Sequence, residues 1–97
     1  MVQSLRSFPK RRVDVTTREV DGQILILDRR HDDVHQLNTS ASYVWQCCTG
    51  QMSAEEIAMS MAQNFSIDQK DAERDVADLI SQLTALDLLE KEADDKP

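Results

Sequence analysis

Four side chains in this sequence have the types needed for metal or nucleophile chemistry: His31, His35, Cys47 and Cys48. Together they would supply the two nitrogens and two sulfurs that a zinc ion accepts. Their spacing argues against that use. Adjacent cysteines on a helix point about 100° apart, so both rarely reach one ion. His31 and His35 fall in a turn and a strand, not on one helical face, and no metal is expected. A disulfide between neighbours strains the backbone, and there is no third cysteine, so both thiols are expected to be reduced and without a redox role. Gly22 and Gly50 are the only glycines, which leaves nothing for a glycine-rich phosphate loop. Neither histidine stands in a triad context. Paired acids such as Glu55 and Glu56 fall on helix surfaces, where solvated charge is their role. The reading is of a chain that is not an enzyme and needs no cofactor.

Charge narrows the partners. The 97 residues carry 11 Lys and Arg against 18 Asp and Glu, a formal charge of −7. Arg6, Lys10, Arg11 and Arg12 all lie in the first twelve residues, which hold no acid, so the remaining body is more acidic still. Phosphate repulsion then excludes nucleic acid as the expected ligand. No apolar stretch approaches the roughly 18–20 residues of a membrane span, and Met1–Arg12 lacks the apolar core of a signal peptide. A cytoplasmic protein of one small domain is expected, with a core too thin for a large catalytic cleft.

The elements that position these residues follow from patterning. Residues 1–12 read as a disordered basic arm and 90–97 as a charged tail, leaving 13–89 as the folded domain. Val13, Val15 and Thr17 alternate in a first strand continuing near Val20. Asp21-Gly22 suits a two-residue hairpin turn. Ile24–Leu27 is an apolar run fit for a central strand covered on both faces. Asp28–Asp33 is a polar turn, and Val34–Leu37 restarts a short third strand. Asn38 or Ser40 caps a first helix with Ala41, Val44, Trp45 and Cys48 on one face, ended by Thr49-Gly50. Ser53 and Glu56 form a capping box for a second helix striped by Ile57, Met61 and Phe65. Asp68 opens a third, striped by Ala72, Val76, Leu79, Ile80, Leu83 and Leu86. Trp45 is expected as a core anchor. The fold class is α+β: a three-stranded antiparallel meander followed by three helices.

In a meander both outer strands are edges. The first carries Asp14, Arg18 and Glu19, which discourage further pairing. The third, Val34-His35-Gln36-Leu37, carries neither lysine nor proline. It can accept an extended peptide by main-chain hydrogen bonds, with the third helix as an apolar wall, or stand as an ordinary edge that binds nothing. The same bare edge allows a monomer or a weak homodimer.

The residues also resemble a known family. Asp21-Gly22, Ile24-Leu25-Ile26-Leu27-Asp28, His35-Gln36-Leu37-Asn38, Trp45 and Gly50 are similar to the PqqD-like proteins. Glu55-Glu56-Ile57-Ala58, Phe65-Ser66-Ile67-Asp68 and Asp75-Val76 continue the likeness, which runs from Val20 to about Leu89. The resemblance implies a winged-helix-like recognition element that binds the leader of a ribosomally made, post-translationally modified peptide. It implies a peptide chaperone that presents this precursor to a modifying enzyme, such as a radical SAM enzyme, as in pyrroloquinoline quinone synthesis. This chain has Asp28-Arg29-Arg30 where the pyrroloquinoline quinone type has a Pro-Glu pair, and Thr49-Gly50 where it tends to have Asp-Gly. A lasso peptide or another radical SAM product fits as well. The implied groove residues are Val34, His35, Gln36 and Leu37 on the strand, with Asp75, Val76, Leu79, Ile80 and Leu83 on the third helix.

Two other readings remain open on the sequence. A docking subunit would bind the modifying enzyme without touching the precursor. A winged-helix DNA-binding protein would use the third helix for recognition, but Asp68, Asp71, Glu73, Asp75 and Asp78 outnumber Lys70 and Arg74 there.

Overall fold

A computed structural model describes residues 8–90. The order is β1 (Thr16–Val20), β2 (Gln23–Asp28), β3 (Asp33–Leu37), α1 (Thr39–Cys47), α2 (Ala54–Phe65) and α3 (Gln69–Ala85). The sheet is antiparallel in the order β1-β2-β3. Asp21 and Gly22 both take positive φ, 54° and 81°, as a two-residue turn matched to the twist of its strands demands. The first strand begins at Thr16, later than the Val13 expected, and the expected Val13 position is a turn residue. Val15 still packs partly against the core.

β2 alternates where the sequence suggested burial on both faces. Ile24, Ile26 and Asp28 are buried, while Gln23, Leu25 and Leu27 are only half-buried. The helices cover one face of the sheet and leave the other to solvent. Ile24, Ile26 and Leu37 meet Val44, Trp45, Ile57, Met61, Val76, Ile80 and Leu83 in one core.

The helix ends are capped largely as expected. Asn38 accepts from the Ala41 N–H at 2.9 Å. Ser53 and Glu56 exchange both bonds of a capping box. Asp68 occupies the cap position of α3 without a side-chain bond. Leu86, expected in the α3 stripe, is instead among the exposed large apolar residues. α3 stops at Ala85, and Asp87 takes φ of 60°, so the chain doubles back and buries Leu88 and Leu89 in its place.

The largest departure is at the N-terminal end. The expected disordered arm reached Arg12, yet Pro9–Arg12 is packed into the fold. Gly50 N–H donates to Pro9 O, Arg11 N–H to Cys48 O, Arg12 N–H to Leu88 O and Glu90 N–H to Lys10 O. The segment thus lies between the α1–α2 connection and the chain after α3. Arg11 adds two bonds to the C-terminal carbonyls of α1, Trp45 O at 3.2 Å and Gln46 O at 3.0 Å, where a cation offsets the helix dipole. Residues 1–7 of the expected arm and 91–97 of the expected tail lie outside the described residues.

One buried hydroxyl is built into the sheet. Ser42 Oγ accepts from the Ile24 N–H at 2.8 Å and donates to Leu37 O at 3.1 Å, joining β2, β3 and α1. Ser42→Ala leaves that N–H and carbonyl without their partner inside the core. A loss of about 1–3 kcal/mol in unfolding free energy is expected by urea titration.

Candidate functional site

The hairpin fixes which backbone groups of β3 are free. Val20 and Gln23 flank a two-residue turn and so exchange hydrogen bonds, and bonding direction alternates from there along each strand. Ile24, Ile26 and Asp28 therefore direct their backbone toward β3, opposite Leu37, His35 and Asp33. The Ser42 bridge between Ile24 N–H and Leu37 O agrees with this parity. It follows that the N–H and C=O of Val34 and Gln36 point away from β2, to the open edge. Their side chains lie on the solvent face of the sheet. Val34 is 66% exposed, and Gln36 bonds Gln23 at 3.1 Å.

No Cα of β3 lies within 8 Å of a Cα of α3, although α1 approaches both. β3 and α3 are the two walls of the groove expected from the sequence. Of the nine residues singled out in the sequence, Leu37, Val76, Ile80 and Leu83 are core residues that hold the walls up from behind. Val34 and Gln36 are at the edge, and His35 is half-buried on the core-side face of β3. Leu79 is half-buried against the core and Asp75 is exposed. These two, four residues apart, share one flank of α3.

At the turn end of the walls lies a cluster that the sequence did not reveal as such. Arg12 is 5% exposed and Asp28 1%. Arg12 Nη1 donates to Asp28 Oδ2 at 3.0 Å and to Asp87 O at 2.9 Å, and Nε and Nη2 hold the Asp14 carboxylate at 2.8 and 2.9 Å. His31 Nδ1 lies 2.8 Å from Asp28 Oδ2, and its Nε2 lies 3.4 Å from Asp87 Oδ2. Arg30 adds a contact to Asp14 at 3.1 Å. Burial pushes the Asp28 carboxyl up, but hydrogen bonds from His31 and Arg12 and the guanidinium charge outweigh it and hold it at about 2. The Arg12 hydrogen bonds bring Asp14 to about 2 as well. The available signal was parity: with Ile24 and Ile26 facing inward, Asp28 must follow them, and a buried carboxylate needs a buried cation.

The four residues first considered for metal chemistry fall apart accordingly. His31 serves the ionic cluster and His35 the inner side of β3. Cys47 and Cys48 are free thiols. Burial raises both, Cys48 to about 12, which removes nucleophilic thiolate at neutral pH. Among the described residues no group of three or more His, Cys, Asp or Glu is arranged to hold a metal ion. No helix there is long and apolar enough to cross a membrane.

Comparison with solved structures places this architecture. TbiB1 in complex with the TbiA(beta) leader peptide is 26% identical, with a TM-score of 0.77 over 88% of this chain and 99% of that one. Lasso peptide synthetase B1, complexed with its leader peptide, is 24% identical with a TM-score of 0.77 over 88% of this chain and all of that one. The PqqD truncation of Methylobacterium extorquens PqqCD, described as a stand-alone RiPP recognition element, shares the fold at 19% identity, a TM-score of 0.71, and coverage of 91% and 97%. No curated protein sequence gives a significant match. Residues 23–89, from the start of β2 to the buried Leu89, match the family described as coenzyme PQQ synthesis protein D, and the chain belongs to that PqqD family.

Proposed function

We propose that this protein is a non-catalytic recognition element: it binds the leader of a ribosomally made precursor peptide and presents the precursor to a modifying enzyme. The observation that carries the reading is the unpaired β3 edge, where the backbone groups of Val34 and Gln36 point away from β2. TbiB1, which shares this fold, was solved with a leader peptide bound. The leader adds as a fourth strand, pairing with the N–H and C=O of Val34 and Gln36. Its alternate side chains enter the groove between His35 on the strand and the Leu79 and Asp75 flank of α3. Leu37, Val76, Ile80 and Leu83 fix the shape of that groove from the core. This reading implies a cytoplasmic protein, since ribosomally made precursors arise there.

The test is an amide-resolved NMR titration of the labelled protein with synthetic leader peptides of precursors encoded beside its gene. Shifts at Val34–Leu37 and along one side of α3, saturating at micromolar or lower peptide, are the expected result. No shift with any of these peptides, but complex formation with the neighbouring enzyme alone, would identify a docking subunit.

A further inference from the structure

The backbones of the proposed groove's two walls stand apart, with no Cα pair of β3 and α3 within 8 Å, while their buried side chains share one core. The contacts that bridge the two elements elsewhere help set their separation. α1 approaches both. At the β2–β3 turn, His31 and Arg30 both reach Asp87, the second residue after α3, with Arg30 Nη1 3.8 Å from Asp87 Oδ2. His31 Nδ1 faces Asp28 of β2 at 2.8 Å, and Nε2 faces Asp87 after α3 at 3.4 Å. Both ring nitrogens therefore meet a carboxylate, one from each wall's support. The Nδ1 contact is a hydrogen bond, and the Nε2 contact is an ion-pair distance. Arg12 ties the same two points from beneath, through Asp28 Oδ2 and Asp87 O. It is buried and holds the fold, whereas the His31 and Asp87 side chains are about 40% exposed. Breaking the His31 link therefore costs less than breaking the Arg12 pair: the Asp87 side is an exposed pair, and the Asp28 side is one of several bonds to the buried carboxylate.

Resting on the proposed peptide-binding function, we propose that His31 is a positioning residue for the leader. It fixes the distance and angle between β3 and α3 by joining the turn before β3 to the chain after α3, without touching the peptide. A leader strand must fit between the walls while keeping its bonds to Val34 and Gln36. Loss of the link lets α3 reorient, and the peptide must then spend binding energy restoring the geometry.

The experiment compares the unaltered protein with His31→Ala and His31→Arg. Residual dipolar couplings in the free protein give the orientation of α3 relative to the sheet, and calorimetric titration with the synthetic leader gives affinity. The expected result is a reoriented α3 in His31→Ala and binding weakened about five- to tenfold, with a thermal midpoint within a few degrees of the parent. His31→Arg supplies N–H donors for both carboxylates and restores both readouts. An unchanged orientation or an unchanged affinity in His31→Ala overturns the proposal, as does failure of arginine to rescue. If the unaltered protein binds no leader, the proposed function fails. The dipolar couplings still decide whether His31 sets the spacing of the walls.

Discussion

Arg12→Ala is expected to lower the thermal unfolding midpoint by more than about 12 °C, among the largest effects of any single polar substitution in this chain. The reason is the asymmetry between making and breaking a buried ion pair. Arg12 and Asp28 are 5% and 1% exposed, so the arginine's removal leaves a carboxylate in the core without its cation, with only the His31 ring and turn backbone N–H groups beside it. It also releases the Asp87 carbonyl and the Asp14 carboxylate, which ties the N-terminal segment to the sheet and to the chain after α3. Circular dichroism during heating is the measurement. A midpoint within about 3 °C of the parent would show that water reaches Asp28 freely and that the cluster is not a buried one. The same carboxylates set the acid limit. Asp14 and Asp28 are held at about 2 in the folded protein, below the ordinary value of 3.8. Their folded pKa is depressed, so their contribution is complete above about pH 4 and is lost as pH falls toward 2. Below pH 4 the unfolded chain takes up protons that the folded one refuses. Asp28→Asn should flatten that part of the pH–stability curve while costing stability at pH 7.

Much of the architecture is legible in local chemistry. Asp21-Gly22 specifies a turn with both residues at positive φ, and the Ser53–Glu56 capping box and Asn38 fix two helix starts. The spacing of Ala72, Val76, Ile80 and Leu83 gives the buried face of α3. What escaped is non-local. Nothing near Pro9–Arg12 signals burial, because its partners are the backbone of Cys48–Gly50 and Leu88–Glu90, some 40 and 80 residues distant. A run of basic residues reads as solvated unless its counter-charges are known to be buried. Leu88 and Leu89 were hidden for a related reason: the helical stripe continues naturally to Leu86, and only the reversal at Asp87 shows which leucines enter the core. The site was legible in part. The family resemblance and the bare third strand pointed to the β3 edge, and the register leaves the backbone groups of Val34 and Gln36 unpaired there. Dividing the nine residues between groove and core required the register, and the register depends on the turn.

That register yields the second large effect. Gln36→Pro is expected to weaken leader binding by about ten- to a hundredfold while leaving the fold intact. The Gln36 N–H points to the open edge, so proline removes no bond from the β2–β3 ladder. Proline requires φ near −65°, and it biases the preceding His35 toward the extended conformation that the residue already has. The side-chain bond from Gln36 to Gln23 is exposed and worth little. For an added strand the loss is different in kind, since one acceptor on the peptide loses its donor and the proline ring fills the space that strand must occupy. His35→Pro is the matched control. Its N–H points toward Ile26, so the same substitution one residue earlier breaks the sheet and is expected to destabilise the protein outright. The pair separates the peptide from the fold: calorimetric titration with the synthetic leader reads the first, and thermal unfolding reads the second. If Gln36→Pro bound the leader as tightly as the parent, the peptide would not be pairing along β3. Binding would then have to use the side chains of α3 and the exposed face of the sheet, and the open edge would be only an edge.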